Sequence, residues 1–263
     1  MTNSTVNLWL TNGLEMGRER LFDFFSGNVP RRTVLSTLIP LIFIFYFGTL
    51  ILAVFVFPES YDWRSSAISN LLSPGRNPEF HWLASLGLSL TGLLAIPFGG
   101  YIGYRLRPAS RLGATIATAS FVGGFVALIL AAVIVTRRSH PIVGMLGFHE
   151  ILARTSALGV GIGIIGFCWC ALRGSRAPSI DGKLYPRSLV FSWTILAFMT
   201  LLTVIGCVCS ALIPKIGVPG LLPLYQLLRH SPLWHLAFWD WIGSAAVFLF
   251  LTSAALLLPK EER

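Results

Sequence analysis

Apolar residues dominate this chain in long runs separated by short polar joints, and six of those runs are long enough to cross a bilayer: approximately Thr33–Phe57, His81–Tyr104, Leu112–Thr136, Phe148–Leu172, Ser188–Ile213 and His235–Leu258. At about 1.5 Å of rise per residue, some twenty residues span a hydrocarbon core of about 30 Å. A bilayer interior offers the backbone no water, so such runs are expected to be helical. The pattern therefore predicts an all-α, polytopic membrane protein with six transmembrane helices. Residues 31–263 form one integral membrane domain, preceded by an arm over residues 1–30. In that arm Leu10, Leu14, Leu21 and Phe25 fall on one helical stripe interrupted by Arg18, Glu19 and Arg20, the pattern of an amphipathic segment lying at a membrane surface on the cytoplasmic side. The arm has neither the short apolar core nor the small-residue cleavage site of a signal peptide.

Composition agrees: 54% of the residues are hydrophobic and 12% charged, far from the roughly one-quarter charged make-up of soluble domains. The formal charge of +9 does not call for a nucleic-acid partner, because the basic residues gather in alternate joints. Arg18, Arg20, Arg31 and Arg32 precede the first span, Arg105, Arg107 and Arg111 follow the second, and Arg173, Arg176, Lys183 and Arg187 follow the fourth. Together with Lys260 and Arg263 they predict both termini inside (N-in, C-in) by the positive-inside rule, against a smaller opposing set. Cys168/Cys170 and Cys207/Cys209 lie in apolar runs near opposite ends of adjacent spans, so they are read as buried thiols, not as a shared metal site or disulfide.

The polar residues that need explaining lie on the expected outer side. His81, His149 and His235 open the second, fourth and sixth spans in similar words, Phe80-His81-Trp82, Phe148-His149-Glu150 and Trp234-His235-Leu236. Arg154 sits inside the fourth span, where a central arginine costs about 2.5–3.5 kcal/mol on insertion scales, and so needs a partner or water. Glu150 is one turn away on the same face, and Asp240 lies at equal depth in the sixth span. In the first outer loop Trp63, Ala67, Ile68, Leu71 and Leu72 line one face of a short helix, with Ser65, Ser66, Ser69 and Asn70 beside them. In the last outer loop Leu221, Leu222, Tyr225 and Leu228 mark an interfacial or re-entrant piece. These features predict an outward-facing polar vestibule lined by Ser65, Ser66, Ser69, Asn70, His149, Glu150, Arg154, His235 and Asp240.

Three functional classes fit. The first is a noncatalytic lipid-associated or membrane-assembly protein, with membrane lipid and, in the assembly case, another membrane protein as partners; it needs no cofactor. The second is a metal-assisted lipid hydrolase in which His81, His149 and His235 hold a zinc-like ion that lowers the pKa of bound water; it requires the three helices to converge. The third is a small-molecule transporter, disfavoured because the inner halves of the spans carry almost no charge. No nucleophile elbow frames Ser65, Ser66 or Ser69, and no catalytic residue is assigned.

Six spans, the polar element Ser65-Ser66-Ala67-Ile68-Ser69-Asn70-Leu71 after the first, and a histidine opening the fourth resemble the bacterial domain-of-unknown-function family nine-nine-eight, which is similar to the Frag/DRAM/Sfk group of six-helix proteins. Asn70 stands where that pattern favours Asp. The resemblance implies a multi-pass protein of the cell inner membrane with a role around lipids, and it assigns no catalytic residue.

Overall fold

The computed structural model describes residues 22–64, 66–134, 141–143, 146–176, 178–179, 182–183, 185–216, 223, 226, 231 and 235–259. Six helices among them are long and apolar enough to cross a membrane: Arg31–Phe55, His81–Leu106, Arg111–Val133, Phe148–Arg176, Arg187–Cys207, which continues as helix to Ile216, and Leu236–Leu257. Each falls within a few residues of the run that predicts it. Two very short antiparallel ladders, Pro141–Val143 with Leu146–Gly147 and Pro178–Ser179 with Gly182–Lys183, turn the chain into and out of the fourth span. Of the amphipathic arm, residues 22–26 are helical, while Leu10, Leu14 and Leu21 lie outside the described residues, as do His140, His230 and the apolar stripe of the last outer loop.

Consecutive spans pack side by side, and the sixth returns against the first to close the bundle. The tightest seam joins the third and fourth spans, where two glycines face one another. A Cβ on Gly124 would stand 2.5 Å from the Val160 nitrogen, and one on Gly159 would stand 2.8 Å from the Gly124 Cα. Without side chains the backbones approach closely, the usual route to dispersion contact where lipid tails remove any hydrophobic drive. Deeper in, Phe121, Phe167, Trp193 and Phe250 bring four spans into one aromatic core, with Phe167 and Phe250 stacked at 6.1 Å and 9°. Trp193 satisfies its indole by donating to the Ser253 hydroxyl at 3.0 Å. The outward surface is apolar: Phe55 is 81% exposed and Phe191 70%, as expected of residues that face lipid.

The first span is not a uniform α-helix. Val34–Leu38 and Ile44–Gly48 are π-helical. Pro40 explains the first stretch, since it has no N–H to offer the carbonyl one turn back. The second carries Tyr46 and Phe47 against Phe248 of the sixth span, with ring centroids 4.7 and 4.8 Å away.

The two ends of the bundle differ. At the end where the first, third and fifth spans begin, arginines act as fasteners. The Arg31 Nε donates to Ala255 O at 2.9 Å, and its Nη2 donates to Leu256 O, meeting the open carbonyls that close the sixth helix. Arg105 reaches Pro259 O at 2.8 Å, and the Tyr185 hydroxyl donates to Arg105 O at 2.8 Å. Gly27, at φ +84°, turns the chain into this end, and a Cβ there would strike the Gly100 backbone at 1.9 Å. The opposite end, where the second, fourth and sixth spans begin, carries the histidines.

Candidate functional site

At the histidine end the first loop folds back into the bundle. Tyr61 is buried, and its hydroxyl donates to Ser66 O at 2.8 Å and to Ala67 O at 3.1 Å. The chain then makes one helical turn, Ser69–Leu72, whose Leu71 and Leu72 are buried. Asn77 holds the far side: fully buried, it donates from Nδ2 to Leu71 O at 3.2 Å and accepts at Oδ1 from the Phe80 N–H at 3.3 Å. The loop is a plug fastened at both margins, with Ser66, Ser69 and Asn70 half-buried along it. Ser65 lies outside the described residues.

Asp240 is the third fastening. Its Oδ2 accepts the Ile68 N–H at 3.3 Å, just ahead of the short helix, where a carboxylate meets an otherwise unpaired backbone donor. The Asp240 carbonyl accepts the Ser244 hydroxyl at 2.7 Å, and Ser244 in turn is bonded to the Tyr46 hydroxyl of the first span. Burial, followed by the negative charges of Asp240 and Asp62, holds the Tyr61 phenol well above its usual pKa, so it stays a neutral donor.

The expected pairing of Arg154 with Asp240 is therefore replaced by a loop contact. Both residues lie within Coulomb range of Cys207 on the fifth span, but the Asp240 bond goes to the plug. Glu150 and Arg154, one turn apart, form no ion pair with each other or with another described residue, and Glu150 Oε2 is buried without a hydrogen-bond partner. Equal depth along two helices does not fix the direction in which each side chain points.

The three histidines do open the even spans: His81 is the first residue of its helix, His149 the second, and His235 caps the sixth without a side-chain bond. They are not assembled into a metal site. Among the described residues no group of three His, Cys, Asp or Glu side chains is placed to hold an ion. The rings with a partner bond separate backbone carbonyls: His81 Nδ1 donates to Pro78 O just ahead of its own helix at 3.2 Å, and His149 Nδ1 to Ala131 O on the third span at 2.9 Å. A carbonyl accepts only, so each ring carries its proton on Nδ1 when neutral.

Beside the plug lies a cleft of about 160 Å³ lined by Trp63, Arg64, Phe238, Trp241 and Ile242. Trp63 and Trp241 meet at 5.1 Å and 48°, and Tyr61 packs edge-on against Trp63 at 5.2 Å. The Trp241 Nε1–H is buried and unpaired. The cleft offers flat apolar faces and one guanidinium, a combination that suits an anionic group with an apolar body at the membrane–water boundary. From the sequence Trp63 reads as one position on the helical stripe of the first loop; its pairing with Trp241 and the role of Asn77 were not read. The signal for Asn77 was an Asn-Pro step immediately ahead of a long helix. Comparison of the chain with family models, with curated proteins and with solved structures finds no match.

Proposed function

We propose that this multi-pass protein is a noncatalytic, lipid-associated or membrane-assembly component of a cell inner membrane, oriented N-in and C-in, and that it engages membrane lipid at its histidine end. The observation that carries the reading is the cleft of Trp63, Arg64, Phe238, Trp241 and Ile242. Aromatic rings tolerate the boundary between headgroups and hydrocarbon, and a guanidinium binds phosphate with paired donors. The polar residues around the cleft support a binding role over a catalytic one. Asp240, Tyr61 and Asn77 spend their hydrogen bonds on the loop backbone, and the His81 and His149 rings face carbonyls of the protein. A membrane-protein partner would meet the same end, with lipid between.

The test is native mass spectrometry of the protein released from mild detergent. Given phosphatidylglycerol alone, the parent retains phospholipid adducts, and the variant Trp63→Ala/Arg64→Ala retains about tenfold less at equal lipid, the loss expected when one charge-assisted contact and one aromatic face go. A parent without phospholipid adducts would overturn the proposal.

A further inference from the structure

The fourth span holds two opposite charges that do not use one another. Glu150 and Arg154 are half-buried and four residues apart, about 6 Å along the helix axis. Glu150 Oε2 is shielded from solvent without a partner, and Arg154 is bonded to no described residue. A buried acceptor left open is rare and costly, and a ligand that supplies the donor is one way to satisfy it. Two neighbouring polar groups are engaged elsewhere: His149 with Ala131 O, and Asp240 with the Ile68 N–H.

The setting of the pair points to its ligand. Two turns past Arg154, on the same face, Gly161 lies against Thr200 and Val204 of the fifth span, where a Cβ would meet methyl groups at 3.5 and 3.4 Å. Cys207 of that span lies within Coulomb range of Arg154. One and two turns past Arg154 on the other flank, Leu158 and Ile162 are exposed as lipid-facing residues are. The charges thus stand on the fourth span between its contact with the fifth span and its lipid-facing flank. Their order is fixed by the helix: Glu150 is nearer the water, Arg154 nearer the hydrocarbon. A phosphoethanolamine headgroup has the same order, its ammonium outermost and its phosphate nearer the acyl chains.

We infer that Glu150 and Arg154 clamp a phosphoethanolamine headgroup, the ammonium donating to the half-buried Glu150 carboxylate, which turns to meet it, and the phosphate oxygens accepting from the Arg154 guanidinium. The inference rests on the lipid-associated reading and adds a second contact, separate from the tryptophan cleft. A trimethylated ammonium has no N–H to donate to the carboxylate, so phosphatidylcholine is the discriminating control. Phosphatidylglycerol, which has no cation, is the second.

The experiment is native mass spectrometry of the full chain given phosphatidylethanolamine, phosphatidylcholine and phosphatidylglycerol in equal amounts. The parent is expected to retain phosphatidylethanolamine about tenfold over either competitor, the ratio that one charge-assisted hydrogen bond supports. Glu150→Gln should reduce that preference to near unity. The exchange Glu150→Arg with Arg154→Glu keeps both charges and any pairing between them while reversing their order; it should melt near the parent temperature yet lose the preference. Displacement by millimolar O-phosphoethanolamine would assign the clamp to the free molecule, and resistance to it, with the preference intact, to the lipid. Equal retention of the three lipids by the parent, or a preference that survives the exchange, would overturn the clamp and leave the lipid-associated reading standing. A parent that retains no phospholipid would overturn both.

Discussion

Asp240 and Ile68 are joined across 172 residues by one bond, from the Ile68 N–H to the Asp240 Oδ2 at 3.3 Å. It ties the entry of the sixth span to the loop that leaves the first. Asp240→Ala removes the acceptor and leaves a half-buried N–H open, so it should lower unfolding free energy in detergent by about 1–3 kcal/mol. Asp240→Asn keeps an acceptor oxygen and should lose less. Thermal melts of the two variants beside the parent check the order.

The plug's other margin gives an independent reading. Tyr61→Phe deletes the hydroxyl that bonds Ser66 O and Ala67 O while keeping the ring against Trp63. A loss of about 0.5–1.5 kcal/mol is expected, with the rest of the bundle unchanged. Limited proteolysis should then cut first between residues 58 and 80.

At the arginine end Tyr185 predicts an alkaline limit. Burial, with a smaller contribution from Cys170, pushes its phenol up to about 12 from an ordinary value near 10. The folded state therefore keeps the proton that the unfolded chain gives up. The stabilisation is fully present below pH 10 and is lost as pH rises from about 10 to about 12. Melting temperature should fall across that window, and Tyr185→Phe, which cannot ionise, should flatten that part of the decline.

The glycine seam between the third and fourth spans predicts intolerance to size. Gly124→Val would drive a side chain into the backbone at Val160 and Gly159. Overpacking of this kind costs about 1–3 kcal/mol, whereas a Cβ on Gly123 has nothing within 4 Å. Gly123→Ala should melt with the parent and Gly124→Val well below it.

Orientation is open to direct measurement. In a cysteine-free background, Ser60→Cys stands in the loop after the first span and Pro108→Cys in the loop after the second, both at exposed positions. Under N-in and C-in topology a membrane-impermeant maleimide should label Ser60→Cys on intact cells and reach Pro108→Cys only after the membrane is opened. The reverse pattern would invert the assignment.

The six spans were legible because apolar length alone announces them, and the bounds His81, Phe148 and Leu236 come within a residue of the apolar runs. The stripe Trp63, Ala67, Ile68, Leu71 and Leu72 announced a short helix, of which only Ser69–Leu72 closes, while Trp63 stays outside it and 44% exposed. The partners were not legible. Spacing placed Arg154 and Asp240 at one depth but carried no azimuth, and the actual partner of Asp240 is a backbone N–H, which no residue letter reveals. Histidines at three helix starts invited a shared ion. In the structure His81 and His149 bond to separate carbonyls, a local use that sequence spacing cannot distinguish from ligation.

The most direct test of the central claim is fluorescence of the protein in nanodiscs containing phospholipid brominated near the headgroup end of the acyl chain. If lipid occupies the cleft of Trp63 and Trp241, the parent loses emission to the brominated lipid, and Trp63→Phe/Trp241→Phe abolishes a distinct part of that loss. If parent and double variant differ by the same emission in brominated and plain lipid, no lipid reaches the cleft and the account of this end as a lipid-binding surface is wrong.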